Sequence, residues 1–222
     1  MRVGLVSDQD WRAGIVRARG AGAEVICLPL LSFAPYVAGG RDRSGIEHAE
    51  RPISPTLLEA IGIADGAWLV ASAYESEGEG VFYATSYVAG PEGPVGRYRQ
   101  ARVEAAPRRW EQMFFSPGHE GNEISETPLG RTATLIGSDV RDAAAWAQIE
   151  GAEVVVCAVA DDRERCPGTR SAVAGAAAMR GARALLVNRS GESGGVEFPG
   201  GAAVFSQDGA KIGEGEIVDV DR

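Results

Sequence analysis

Few side chains in this sequence are placed to do chemistry, and Glu111 is the first of them: a carboxyl that can act as a general acid or base. His119 follows it closely, after Pro117-Gly118, with an imidazole whose ordinary titration range lies near neutrality. Ser138 offers a hydroxyl nucleophile, yet no histidine stands near it in sequence to activate it. Asp139, just before an Ala-rich apolar run, reads first as a helix N-cap. The cysteines Cys27, Cys157 and Cys166 are odd in number and far apart, which fits neither a disulfide framework nor a CxxC site and points to a reducing cytoplasm. Cys27 and Cys157 sit in apolar runs and read as core; Cys166, before Pro167, reads as exposed and oxidisable. With His48 and His119 the only histidines, no metal site is expected. The Gly-rich stretch from Gly191 to Gly201 does not follow the strand, glycine loop and helix order of a dinucleotide site, so no cofactor is expected either.

The elements that must position these groups alternate. Apolar, often β-branched runs predict strands at 3–6, 24–28, 67–73, 81–88, 133–136, 154–159, 184–188, 202–205 and 216–220. Helical patterns lie at 11–21, 55–63, 141–150 and 170–180, the second opened by a capping Ser54 with Pro55 at the first helical position. Hairpin turns are expected at Pro91-Glu92-Gly93-Pro94 and at Asp208-Gly209, and a long mobile surface loop at 38–52. This is the pattern of a layered α/β protein with mixed sheets. At 222 residues, 45% hydrophobic and 24% charged, one domain spanning 1–222 is the expectation. A net charge of -9 gives no electrostatic reason to bind nucleic acid or anionic lipid, and no signal peptide or membrane span is expected. Lys211 is the only lysine, so 21 of the 22 basic residues are Arg.

Five segments, in order, resemble one known family. Gly22-Ala23-Glu24-Val25-Ile26-Cys27-Leu28-Pro29-Leu30, closing on Tyr36, resembles the first signature of the nitrilase or carbon-nitrogen hydrolase superfamily, a strand ending in Pro before a catalytic Glu. Gly96-Arg97-Tyr98-Arg99-Gln100 is similar to the strand that ends in Tyr-Arg-Lys, and Glu111 to Gly118 to the segment with a second active-site Glu that ends in Pro-Gly. Ile136-Gly137-Ser138-Asp139 falls where the family has its nucleophile elbow, Ile-Cys-x-Asp. Val187-Asn188-Arg189-Ser190-Gly191, Phe198-Pro199-Gly200-Gly201 and Gln207-Asp208-Gly209 match the closing segments. The fold implied is a four-layer α-β-β-α sandwich. The chemistry implied is attack of a Cys thiolate on an amide or nitrile carbon, with a Glu moving the proton and a Lys holding the developing charge.

Carried over position by position, the resemblance implies that the triad is absent: Leu30 stands for the Glu, Gln100 for the Lys and Gly137 for the Cys. Leucine cannot accept a proton, Gln brings no charge, and glycine offers no thiol. The family's aromatic-Pro-Glu stretch after the elbow is replaced by Asp142-Ala143-Ala144-Ala145, while Tyr36, Arg99, Glu111, Asp139 and Arg141 are kept. Two readings stay open. One is a nitrilase-fold protein without amidase or nitrilase activity that binds a small molecule or a protein partner. The other is a divergent enzyme in which Glu111 is acid or base and His119, Arg99 or Gln100 orients the substrate, with Leu30, Tyr36, Ser138 and Asp139 lining the pocket. The resemblance also implies at least a homodimer, for which the Ala-rich helix bearing Trp146 is the expected contact surface.

Overall fold

The computed structural model describes residues 1–220. The first half of the chain runs β1 (Arg2–Leu5), α1 (Trp11–Gly20), β2 (Val25–Cys27), α2 (Pro55–Ala64), β3 (Trp68–Gly78), β4 (Val81–Gly90) and β5 (Gly93–Arg99). There follow β6 (Ser125–Thr127), β7 (Gly130–Ile136), α3 (Ala143–Ala147), β8 (Val154–Val159), α4 (Cys166–Arg180) and β9 (Arg183–Asn188). Five short strands come last: β10 (Ser190–Ser193), β11 (Val196–Pro199), β12 (Ala202–Phe205), β13 (Lys211–Glu214) and β14 (Ile217–Asp219).

Two six-stranded sheets result, ordered β14-β1-β2-β3-β4-β5 and β13-β12-β9-β8-β7-β6, with β10 and β11 forming a separate hairpin. Each sheet has a parallel trio at its centre, β1-β2-β3 in one and β7-β8-β9 in the other, flanked by antiparallel strands. Because side chains alternate across a strand, each central strand of the first sheet serves two cores. Val3 and Leu5, Val25 and Cys27, and Val70 face the second sheet. Val6, Ile26, Leu28, Leu69 and Ala71 instead pack under α1 and α2 against Trp11, Ile15, Leu57 and Ala60. On the far side, Val173, Ala176 and Ala177 of α4 cover β9 and β12. The layers are therefore helix, sheet, sheet, helix, and each fully buried Val, Leu or Ile contributes about 1.5–3 kcal/mol of burial.

Local sequence explains most boundaries. Ser54 Oγ accepts from the Leu57 N–H at 3.1 Å and Pro55 occupies the first turn of α2. Pro167 does the same for α4, which begins at Cys166 rather than at 170. The expected helix over 141–150 is only the short α3, because residues 137–141 form a 3-10 turn and Asp142, not Asp139, is the N-cap, accepting from the Ala144 N–H at 2.8 Å. Trp146 is buried and donates its indole N–H to the Val140 carbonyl at 3.0 Å, so it is no exposed contact residue. Residues 38–52 are more ordered than a plain loop: they carry 3-10 turns at Val37–Gly39 and Arg43–His48, and Glu50 pairs beside Glu75 of β3. Among the described residues no helix is long and apolar enough to cross a membrane.

Close packing of α1 on β1 depends on Gly14, where a Cβ would stand 2.2 Å from Val6 Cγ1; Gly20, at the end of the same helix, has open space around it. Gly14→Ala is expected to destabilise the protein by about 1–3 kcal/mol through overpacking, and Gly20→Ala to be neutral or stabilising by up to about 1 kcal/mol. Urea denaturation of the two variants beside the parent checks the contrast.

Candidate functional site

At one end of the sandwich β5 runs out into Gln100, whose N–H stays in register by donating to the Ala84 carbonyl at 2.9 Å. Strand alternation turns Tyr98 and Gln100 towards the second sheet and Arg99 the opposite way. Tyr98 donates its hydroxyl to Asp139 Oδ2 at 2.6 Å, and the Ala101 and Arg102 N–H groups each donate to the same carboxylate at 2.8 Å. Asp139 is thus a buried three-fold acceptor rather than a helix cap. Burial pushes its carboxyl up, while the three hydrogen bonds hold it down.

The Gln100 carboxamide lies beside Gly137. Its Nε2 is 2.7 Å from the Arg102 carbonyl, 2.9 Å from Glu111 Oε2 and 3.3 Å from Ser138 Oγ, all as donor. Gly137 has φ +57, a left-handed conformation that disfavours any side chain, and a Cβ there would stand 2.7–2.8 Å from the carboxamide atoms. Gln100 therefore fills the space into which a side chain at 137 would project. Ser138 Oγ donates to the Arg102 carbonyl and has neither His nor carboxylate as partner.

Glu111 opens a 3-10 turn and is buried; besides Gln100, the Glu104 N–H donates to its Oε2 at 2.9 Å. Burial drives its carboxyl up to about 7 and the nearby Glu104 charge adds to this, whereas the two hydrogen bonds and Arg109 oppose it. Tyr36, edge-on to Phe198, is fully buried, feels the charges of Glu111 and Arg109, and its hydroxyl finds no partner. Gln100 Oε1 is also buried and unpartnered. The arrangement can hold or release a proton near neutral pH beside one orphan hydroxyl and one orphan carbonyl.

Not every expected group joins this cluster. Arg99 stacks on Tyr83 at 3.9 Å and binds Glu75, Glu77 and Glu120 on the opposite face. His119 and His48 are exposed. Cys166 is half-buried, its thiol pushed up by burial and donating to the Asp161 carbonyl, so it is less reactive than an exposed thiol. Leu30 is buried after β2 in a turn that includes Leu31 at φ +52. Arg189 pins that turn by donating to the carbonyls of Leu30 (3.4 Å), Leu31 (2.8 Å) and Ala34 (2.9 Å).

Sequence reasoning missed two arginines. Arg189 lies inside a quoted motif, but nothing there signalled its backbone partners. Arg109 had no signal: buried, it donates to the Ala160 carbonyl at 3.0 Å and pairs with Asp161 at 3.3 Å and Asp162 at 3.6 Å. Glu104, whose N–H serves Glu111, ties into the same network through Arg141 at 3.3 Å and Arg165 at 2.6 Å. The segment from 101 to 110 is so held beside Glu111, and none of the clefts noted among the described residues is lined by Leu30, Gln100, Glu111 or Gly137. Among the described residues no group of three or more His, Cys, Asp or Glu converges to hold a metal ion.

Comparison with known proteins bears on what this cluster is. The sequence model of the carbon-nitrogen hydrolase family matches residues 9–216. The chain belongs to the carbon-nitrogen hydrolase family. It is similar to a nitrilase from Pyrococcus abyssi, 27% identical over 146 residues, a match that covers 64% of this chain and about half, 53%, of that protein's length. Two solved members show the same fold. A carbon-nitrogen hydrolase from Helicobacter pylori G27 superimposes with a TM-score of 0.82 at 17% identity, covering 97% of this chain and 85% of that one. An amidase from Nesterenkonia sp. AN1 gives 0.82 at 23% identity, covering 99% and 90%. That structure is a variant in which a glutamate is replaced by leucine, and it shows covalent addition of the acetamide moiety of fluoroacetamide at the active-site cysteine.

A carboxyl raised to about 7 in this member of the carbon-nitrogen hydrolase family has a definite linkage signature. The unfolded chain ionises Glu111 near its ordinary value while the folded chain keeps it neutral, so this group's contribution is full at low pH and is lost as pH rises towards about 7. The stability of the parent relative to Glu111→Gln is therefore expected to fall between pH 4.5 and pH 7.5, and a difference that is flat or rises, by chemical denaturation across that range, contradicts the assignment.

Proposed function

We propose that this family member has lost thiolate-dependent amide and nitrile hydrolysis and serves as a binding scaffold for a small molecule or a protein partner. The reading aligns Leu30, Gln100 and Gly137 with the family's Glu, Lys and Cys. The observation that carries it is that Gly137 supplies no thiol and that the Gln100 carboxamide is packed into the space before it. Leu30 by itself weighs less, since the Nesterenkonia amidase with a leucine in place of a glutamate still takes an acetamide moiety on its cysteine. Without a thiolate there is no acyl-enzyme by that route.

A second reading is favoured by one specific feature, the neutral-range carboxyl of Glu111. In it Glu111 is an acid or base for a reaction on an amide-like or other small molecule without a covalent thioester, and Gln100 and Tyr36 orient the substrate. Ammonia release from a broad panel of amides and nitriles, measured on the parent beside Glu111→Gln, separates the two. No release from either protein is expected; turnover in the parent that disappears in the variant establishes the second reading and overturns the first.

The same reading takes the chain as one domain of a cytoplasmic protein that avoids nucleic acid and membranes, in keeping with three unpaired cysteines and a net charge of -9. It also makes the protein at least a homodimer through the Ala-rich segment 141–150 and the neighbouring α4, where Met179 stands 80% exposed beside a cleft of about 390 Å³ between α3 and α4. Sedimentation equilibrium at micromolar concentration is expected to give at least twice the chain's mass, and a monomer contradicts the assignment.

A further inference from the structure

The largest cleft described on the molecule, about 750 Å³, lies at the end of the second sheet opposite Gly137. Leu129 precedes β7, Glu153 precedes β8 and Arg183 opens β9, whereas Gly137, Asp161 and Asn188 mark the other ends of these strands. The volume is within the range of small-molecule sites, roughly 300–1,000 Å³. Its wall is mixed: Leu129, Val154 and Ile212 give an apolar side, and the charged groups are Arg183, Glu153 and Asp208.

Arg183 is the unusual member. Its Nε is shielded from solvent and has no hydrogen-bond partner, and no carboxylate among the described residues lies within ion-pair reach of its guanidinium. The basic groups Arg170 and Lys211 nearby both pair with Glu214 and so are not free to take an anion. A planar, partly desolvated guanidinium with free donors is a seat for a carboxylate. The acids are already ordered: Glu153 Oε2 accepts from the Arg131 N–H at 2.9 Å, and Asp208 accepts from Ser206 and from the Ala210 N–H at 3.2 Å, hydrogen bonds that hold its carboxyl below the usual range and so ionised. A simple anion would be repelled by this pair. A lone cation would leave the Arg183 guanidinium donors unpaired.

We infer that the cleft binds a small zwitterion of the α-amino-acid type with a large apolar side chain. The carboxylate sits on the Arg183 guanidinium, the ammonium faces the Glu153 and Asp208 carboxylates, and the side chain lies on Leu129, Val154 and Ile212. The site is independent of Glu111 and stands whichever reading of that cluster holds.

Titration calorimetry with leucine and phenylalanine on the purified protein tests it, with N-acetyl-leucine and leucinamide as probes that each lack one charge. Saturable binding of leucine or phenylalanine is expected, weakened at least about tenfold for both probes and for Arg183→Gln. Because Arg183 has no side-chain partner to lose, this substitution leaves the fold intact, which the thermal midpoint of the unliganded variant checks. Absence of saturation up to about 10 mM, equal affinity for N-acetyl-leucine, or unaltered binding by Arg183→Gln overturns the inference.

Discussion

The Asp139 carboxylate joins the two sheets at the end where the candidate site lies. It projects from the turn after β7 of the second sheet and accepts the Tyr98 hydroxyl and the Ala101 and Arg102 N–H groups from the end of β5 in the first. Removing it would leave three buried donors unpaired, each costing about 1–3 kcal/mol. Its geometric effect goes further. Fixing the 101–102 peptides orients the Arg102 carbonyl, which accepts from both Ser138 Oγ and Gln100 Nε2. That contact aims the carboxamide at Gly137 and Glu111, so the filling of the space before Gly137 depends on a carboxylate that touches neither residue.

A second constraint is electrostatic. Glu104 is shared between the neutral cluster and the charged network: its N–H serves Glu111, and its carboxylate holds Arg141 and Arg165. Arg109 anchors the same segment to the end of β8 through the Ala160 carbonyl and Asp161. Paired charges of this kind are tolerated under cover because each has a partner, whereas Glu111 is given only two N–H donors and stays neutral more readily. The segment from 101 to 110 is thereby held by ions on one side and by neutral hydrogen bonds on the other.

Much of this architecture was legible in the sequence, because its central strands are short β-branched runs buried on both faces and leave an unbroken apolar signature. The strands that escaped, β6, β10, β11 and β13, are three or four residues long, and β10 and β13 are buried on neither face, so no apolar pattern marks them. The Ala-rich 141–150 reads as helix by propensity, yet residues 137–141 take a 3-10 turn and the helix spans only Ala143–Ala147. Asp before an Ala run is the ordinary cap pattern, whereas the actual partners of Asp139 lie 37 to 41 residues away and leave no local trace. Arg109 and Arg189 were missed for the same reason, their acceptors being backbone carbonyls and carboxylates distant in sequence. The meeting of Gln100 with Gly137 became visible only once the folded chain brought the ends of β5 and β7 together.

The two readings of the site divide on Glu111, and physical cost bears on the choice. As a structural piece, the position needs only an oxygen to accept from Gln100 and the Glu104 N–H, which a neutral amide supplies without the desolvation that drives this carboxyl to about 7. A carboxyl kept where an amide would serve is more costly than the packing requires, and raised carboxyls gather at sites that move protons. The surroundings argue the other way. Substrate needs access and room, yet Leu30, Gln100 and Ser138 are buried, and the Gln100 carboxamide already occupies the space beside Gly137. Both pressures are met if the cluster is a filled remnant whose carboxyl is held by its network, where replacing it alone would leave the Gln100 and Glu104 donors dependent on a new and unoptimised partner.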